Sequence, residues 1–218
     1  MKEDSSLQAL FIDWQGTLTD GVYWHHLENP EHKNHKYFSP LRRGLMDGIW
    51  DKYRNSWMRG QTVSEEVIRE VADKTGIDYS LAFEEFVHSS GSMPIKSTSV
   101  LDIIQQIRDK QVPVIIATDN TDAFSRWTVP GLQLRHHFDG ILNSFDIRAR
   151  KPDSGKFGES LFFNPYWSAH NLAPNQTALL DDSPDKNGRI GKFGIKYIQV
   201  SPQGGLLTEL QRINKELE

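Results

Sequence analysis

None of the 218 residues is a cysteine. That absence excludes thiol catalysis, disulfide bridges and thiolate metal sites, and removes the usual signs of an oxidising compartment. Basic blocks are missing too. Lys and Arg number 25 against 29 Asp and Glu, with no Lys/Arg-rich run to follow a phosphate backbone, so neither nucleic acid nor an anionic membrane surface is an expected partner. No apolar stretch approaches the ~18 residues of a membrane-spanning helix. The opening "MKEDSS" is polar and carries no signal-peptide core. These absences lead to the expectation of a soluble, cytoplasmic protein. Internal repeats and low-complexity tracts are also lacking. The length suits one well-buried core with a small satellite domain of about 70 residues.

Short apolar runs suited to buried parallel strands occur at Leu10 to Asp13, Val112 to Thr118, Gly140 to Asn143, Ala178 to Asp181 and Ile195 to Val200. None leads into a hairpin turn. Helical periodicity separates several of them, as in Ser99 to Lys110 with Val100, Ile103, Ile104 and Ile107, and again in Leu206 to Leu217. Strands that alternate with helices in this way build right-handed crossovers and a doubly wound parallel α/β sheet. Residues 21–95 break the alternation. Three helices are predicted there: one starting at Ser39-Pro40, with Leu41, Leu45, Ile49, Tyr53 and Trp57 recurring every four residues; one capped by Thr62 with Glu65 and stopped by Gly76; and one from about Ser80 to His88. The predicted division is a core of residues 1–20 and 96–218 with a helical domain of 21–95 placed over it.

In open parallel sheets, chemistry gathers beyond the carboxyl ends of the strands. Four stations lie at such ends. In "DWQGTLTD", Asp13 precedes Gly16 and Thr17, which let the backbone turn sharply and present its amides to an anion; a carboxylate there can act as a nucleophile. "VIIATDN" ends its strand in Thr118, whose hydroxyl suits a phosphoryl oxygen. "RARKPD" places Lys151 before Pro152, a rigid lead-in to a helix, where the ammonium can balance a bound anion. "ALLDDSPDKNG" brings Asp181 and Asp182 to a strand end, a pairing that holds hard cations or simply caps a helix starting at Pro184. Each station alone also has a structural explanation.

Taken in order, however, Asp13, Thr118, Lys151 and the acid pair resemble the four motifs of the haloacid dehalogenase superfamily over nearly the whole chain, and the helical insertion resembles that superfamily's cap after the first motif. The resemblance implies a Rossmann-like core and a Mg2+-dependent hydrolase. Asp13 would be the covalent nucleophile, Thr118 the second-motif hydroxyl, Lys151 the third-motif lysine, Asp182 a magnesium ligand and Asp181 a supporting acid. The main-chain carbonyl of Gln15 would complete the metal site. Gly16, Thr17, Thr118, Asp119 and Lys151 are the expected substrate contacts.

The sequence departs from the family at two places. Phosphatases of the superfamily carry Asp two residues after the nucleophile as a proton shuttle, whereas Gln15 cannot exchange a proton; positioned acid–base catalysis is worth roughly 10²–10⁴ in rate. After Asp182, the place commonly held by Asp or Asn is Lys186, with Asn187 one position later. The leading expectation is a phosphatase of a small phosphorylated metabolite. The alternatives are a dehalogenase, a carbon–phosphorus hydrolase (since "DWQGT" is similar to the "DWAGT" of phosphonoacetaldehyde hydrolases, with Lys52 as the Schiff-base candidate) and a non-catalytic binding or regulatory protein. His25, His26, His32 and His35 offer a substitute proton carrier near neutrality, or a metal site of no standard spacing, or a solvated loop. The stretch "LFFNPYW", Leu161 to Trp167, reads as buried packing more readily than as an exposed contact surface.

Overall fold

All five predicted strands form, with small shifts at their ends, in the computed structural model, which describes residues 7–218. They are β1 (Ala9–Ile12), β2 (Val114–Thr118), β3 (Gly140–Asn143), β4 (Thr177–Asp181) and β5 (Lys196–Gln199). Every pairing is parallel and the order across the sheet is β3-β2-β1-β4-β5. The three central strands are buried throughout because both of their faces are covered, and they are apolar except at Thr118, Thr177 and Asp181 at their ends. Leu10, Ile12, Val114, Ile116 and Leu180 face one apolar cluster, while Phe11, Ile115, Ala117 and Leu179 face another. Each fully buried side chain of this size contributes roughly 1.5–3 kcal/mol.

The helical layer runs through α1 (Phe38–Gly44), α2 (Trp50–Trp57), α3 (Ser64–Thr75) and α4 (Tyr79–Gly91), after two short 3₁₀ turns at His25–Glu28 and His35–Tyr37. Trp24, Leu41, Trp57, Val67, Ile68 and Phe86 give it an apolar cluster of its own. The chain then returns to the sheet. Helix α5 (Thr98–Asp109) and the last helix cover the first face; between them lie the short turns α6 (Val129–Gly131), α7 (Leu134–His137) and α8 (Ser144–Ile147), then α9 (Asn164–His170) and finally α10 (Gly205–Glu216). Phe162, Phe163 and Trp167 cover the second face with almost no exposure, so the aromatic part of "LFFNPYW" is mainly packing, while Leu161, Asn164 and Pro165 are exposed.

The layer is fastened to the sheet domain by one buried carboxylate. Asp122, 1% exposed, accepts from Trp57 Nε1 at 2.6 Å, Ser64 Oγ at 2.7 Å, Ser64 N at 3.2 Å and Arg126 Nη1 at 2.8 Å. Arg126 in turn reaches Glu65 at 2.6 Å. Nearby, Thr128 donates to the carbonyl of Ser90 and Arg59 to Asp153.

Four local expectations are corrected. The helix from Pro40 to Trp57 is broken at Asp47 and Gly48, where Gly48 takes φ +90° and turns α2 onto a new course. Helix α3 starts at Ser64, one turn position later than the Thr62 cap: Thr62 donates instead to Ser56, Glu65 is drawn to Arg126, and Glu66 accepts from Val63 N. No helix follows Pro152 directly, because Asp153 folds back to accept from Arg150 N and residues 154–160 form a narrow turn. None starts at Pro184 either: Asp185 captures the amides of Ile190 and Gly191, and Asn187 sits at φ +60°, leaving only two 3₁₀ turns.

Candidate active site

Strand β1 delivers Asp13 to the carboxyl edge, where its amide donates to Leu180 O of β4 at 2.9 Å. The chain then reverses through Gly16, which has φ +82°, a region open to glycine at little steric cost. Glycine is required there for a second reason. A Cβ on residue 16 would lie 2.3 Å from a carboxylate oxygen of Asp182. The Thr17 hydroxyl is engaged by Asp182: it accepts from the Asp182 amide at 3.0 Å and donates to the Asp182 carboxylate at 3.3 Å. The turn after β1 thus positions the acid after β4.

Lys151 stands at the centre of the charges. Its Nζ donates to Asp13 Oδ1 at 2.8 Å and also contacts Asp181 Oδ2, with all three side chains buried. Asp119 anchors the lysine's own backbone, accepting from Lys151 N at 2.9 Å and from Arg150 Nε at 3.1 Å. Asp119 is therefore a support for the loop as well as part of the cavity wall. Thr118 ends β2 with its hydroxyl buried and, among the described residues, without a hydrogen-bond partner, an arrangement that leaves a donor free for a ligand.

Burial pushes the Asp13 carboxyl up to about 7; Lys151 opposes this, while Asp181 and Asp119 add to it. Burial alone would lower Lys151, but the fields of Asp13, Asp181 and Asp119 together outweigh it and hold the ammonium protonated. Asp182 is raised chiefly by burial, with Asp181 adding to the shift. Three carboxylates thus converge on the single buried ammonium of Lys151. Oxygens of Asp13, Asp181 and Asp182 come within 4.8 Å of one another, and an all-oxygen, partly buried set of this kind fits a hard divalent cation.

A cavity of about 410 Å³ opens over Asp13 and Lys151, and Arg54, Arg150, Lys186, Arg189 and Tyr197 border it. Sequence reasoning missed this cationic rim, apart from Lys186. Arg150 is the one member with a local signal, since it directly precedes Lys151. Asn187 does not line the cavity. Gln15 does, and its side-chain amide donates to Gly21 O at 3.0 Å, tying the turn after β1 to the point where the chain leaves for the helical layer. None of His25, His26, His32 and His35 borders the Asp13 cavity. His26 pairs with Glu85 at 2.6 Å and His35 Nδ1 lies 2.7 Å from Leu27 O. Lys52 is bound to Glu70 at 2.6 Å, away from the cavity.

Residues 7–185 match the haloacid dehalogenase-like hydrolase family. No curated protein sequence matches the chain. Among solved structures, a HAD-family enzyme of Bacteroides thetaiotaomicron is similar at a TM-score of 0.68 and 15% identity over 91% of this chain and 95% of its own. A predicted HAD-like family hydrolase of Porphyromonas gingivalis gives 0.66 and 14% over 95% and 97%. The L-2-haloacid dehalogenase of Xanthobacter autotrophicus gives 0.61 and 14% over 89% and 77%. The Bacteroides enzyme has also been solved in complex with magnesium and inorganic phosphate. Among the described residues, no helix is long and apolar enough to cross a membrane. With the family match spanning most of the sequence and the parallel sheet shared with these structures, the chain belongs to the haloacid dehalogenase-like hydrolases and is an enzyme of that class.

Proposed function

We propose that the protein is a magnesium-dependent phosphatase of a small phosphorylated metabolite, with Asp13 as covalent nucleophile and residues 21–95 acting as a cap over a core of 1–20 and 96–218. The observation that carries this reading is the convergence of Asp13, Asp181 and Asp182 around Lys151, beside the unpartnered hydroxyl of Thr118. The family match and the magnesium–phosphate complex of the Bacteroides enzyme support it. A cysteine-free, mildly acidic chain suits the cytoplasm and a small-molecule substrate.

Oxygens of Asp13, Asp182 and Asp181 with the main-chain carbonyl of Gln15 would hold Mg2+, which when bound offsets the charge of the phosphoryl oxygens. Lys151 and the Thr118 hydroxyl hold the remaining oxygens, and the amides after Asp13 complete the cradle. An Asp13 oxygen attacks phosphorus, the bond to the leaving oxygen breaks, and water then cleaves the aspartyl phosphate to restore Asp13 and release inorganic phosphate. No proton comes from Gln15. The reading therefore favours substrates whose leaving oxygen needs little protonation, such as acyl and aryl phosphates, over alkyl phosphates.

A second reading, hydrolysis of a carbon–halogen bond, draws on the amide at position 15 and on an apolar cavity beside the site. The carbon–phosphorus alternative loses support because Lys52 is engaged by Glu70. The deciding experiment is a hydrolase screen with an acyl phosphate, an aryl phosphate, sugar phosphates and a 2-haloacid, with and without Mg2+. Phosphate release that needs Mg2+ and disappears in Asp13→Asn is expected. Metal-independent halide release would establish the second reading, and silence on every substrate with Mg2+ still bound would make the protein a binding module.

A further inference from the structure

A second cavity, of about 300 Å³, adjoins the Asp13 cavity beneath the helical layer. Gln15, Trp50, Met58 and Asp119 line both, so a ligand seated on Asp13 can extend from one into the other. Its walls are mostly apolar: Trp14, Tyr23, Leu45, Met46, Met93 and Phe124 come from both the core and the helical layer. Such a lining suits the carbon body of a small molecule, and the volume admits a ring with a short chain.

One charged group of this wall lacks an explanation in the fold. Arg42, on α1, is half-buried and, among the described residues, forms no salt bridge and no side-chain hydrogen bond. Burial depresses its basicity, and Glu28 offsets this only from a distance. A half-buried guanidinium with no protein partner keeps its donors free for an anion that enters the cavity. Its planar fork fits a carboxylate through two parallel hydrogen bonds. Charge count separates a carboxylate from a second phosphoryl group: a single arginine in apolar walls balances one negative charge, not two.

We propose that this cavity is a leaving-group subsite, and that the enzyme's substrate class is the phosphate ester of an apolar, ring-bearing hydroxy acid whose carboxylate pairs with Arg42. The proposal rests on the phosphatase reading for its chemistry and names the substrate class of that same site. The phosphoryl group lies at Asp13, the ring passes Gln15 and Trp50, and the acid ends on α1. The helical layer thereby selects the substrate by its far end.

The test compares 4-carboxyphenyl phosphate and its 4-carboxymethyl homologue with phenyl phosphate. At least one of the two acids should show a kcat/KM about tenfold or more above phenyl phosphate, carried by KM, as expected for one charge-assisted pair. In Arg42→Met that ratio should fall to about one, and Arg42→Lys should restore part of it. Met46→Glu, at an exposed wall position, should lower the ratio by adding a like charge; it guards against an Arg42 variant that fails to fold. A parallel calorimetric measurement uses the matched phosphonates and Asp13→Asn protein. Preferential binding of a carboxylated phosphonate, lost in the Arg42→Met double variant, supports the subsite even where no ester is hydrolysed, an outcome that would sink only the phosphatase reading. Equal behaviour of the acids and phenyl compounds in both assays overturns the subsite.

Discussion

Two buried aspartates hold opposite positions in this molecule. Asp122, where the helical layer meets the sheet domain, receives four hydrogen bonds from Trp57, Ser64 and Arg126 and has no capacity to spare. Asp13, at the carboxyl edge of the sheet, has one side-chain donor, Lys151, and shares it with Asp181. A saturated carboxylate is a fastener. An undersupplied one is free to take a cation or a bond to phosphorus, and burial, only partly offset by Lys151, raises its titration point.

Mutation should separate the two roles. Asp13→Asn should bring turnover to background while leaving the unfolding midpoint at pH 8 no lower than in the parent, because it removes a poorly compensated buried charge. A clear drop in the midpoint would make Asp13 a structural residue after all. Asp122→Ala should do the reverse. It leaves Trp57 Nε1 and the Ser64 groups buried without an acceptor, at a cost of about 3 kcal/mol; urea unfolding measures this, and activity per folded molecule should stay within a few-fold. Loss of activity without loss of stability would overturn the contrast.

Smaller effects sharpen it. Gln15→Asp restores a proton carrier beside Asp13, and should raise turnover of an alkyl phosphate about tenfold or more, with little gain for an aryl phosphate. The loss of the bond to Gly21 O keeps the gain below the full range for acid–base catalysis. A fall for both substrates would show that position 15 serves only the turn. The last test is pH. The Asp13 carboxyl titrates near 3.8 in an unfolded chain and near 7 in the fold. Between those values the folded state keeps a proton that the unfolded state has lost, so this group's contribution to stability declines as pH rises toward 7. Under the proposed function, Mg2+ held by Asp13 would compete with that proton. Thermal-shift titration should therefore give an affinity about tenfold weaker at pH 6 than at pH 8, and Asp13→Asn should flatten the difference.

The strands were legible because a parallel sheet covered on both faces demands continuous apolar runs, and "ALFI" and "VIIAT" are such runs. Asp13, Asp181 and Asp182 were legible together because β1 and β4 are neighbours and their ends lie side by side, whereas Lys151 lies beyond β3 with α8 in between and was legible only through the resemblance to the family's third motif. Their supports were harder to see. That Thr17 serves Asp182, and Asp119 the loop of Lys151, depends on contacts across well over a hundred residues in the first case and about thirty in the second. Asp122 lies in no motif, and two of its three partners, Trp57 and Ser64, come from the helical layer. The stretch after Pro184 misled because Asp185 turns inward to take amides that a helix would have used within itself. Arg42 had no local mark at all, sitting one residue before another arginine on a helix whose kink only the structure reveals.

The space beside Gly16 carries a consequence for how freely this enzyme can vary. Asp182 occupies the volume that any side chain at residue 16 would claim, and the backbone there already has a sign of φ that L-residues avoid. In a saturation library selected for turnover, position 16 should return a single letter, while Gly158, with positive φ but open space around it, should tolerate asparagine. The catalytic turn is thus written in an alphabet of one at the place where it touches the acid of the fourth station.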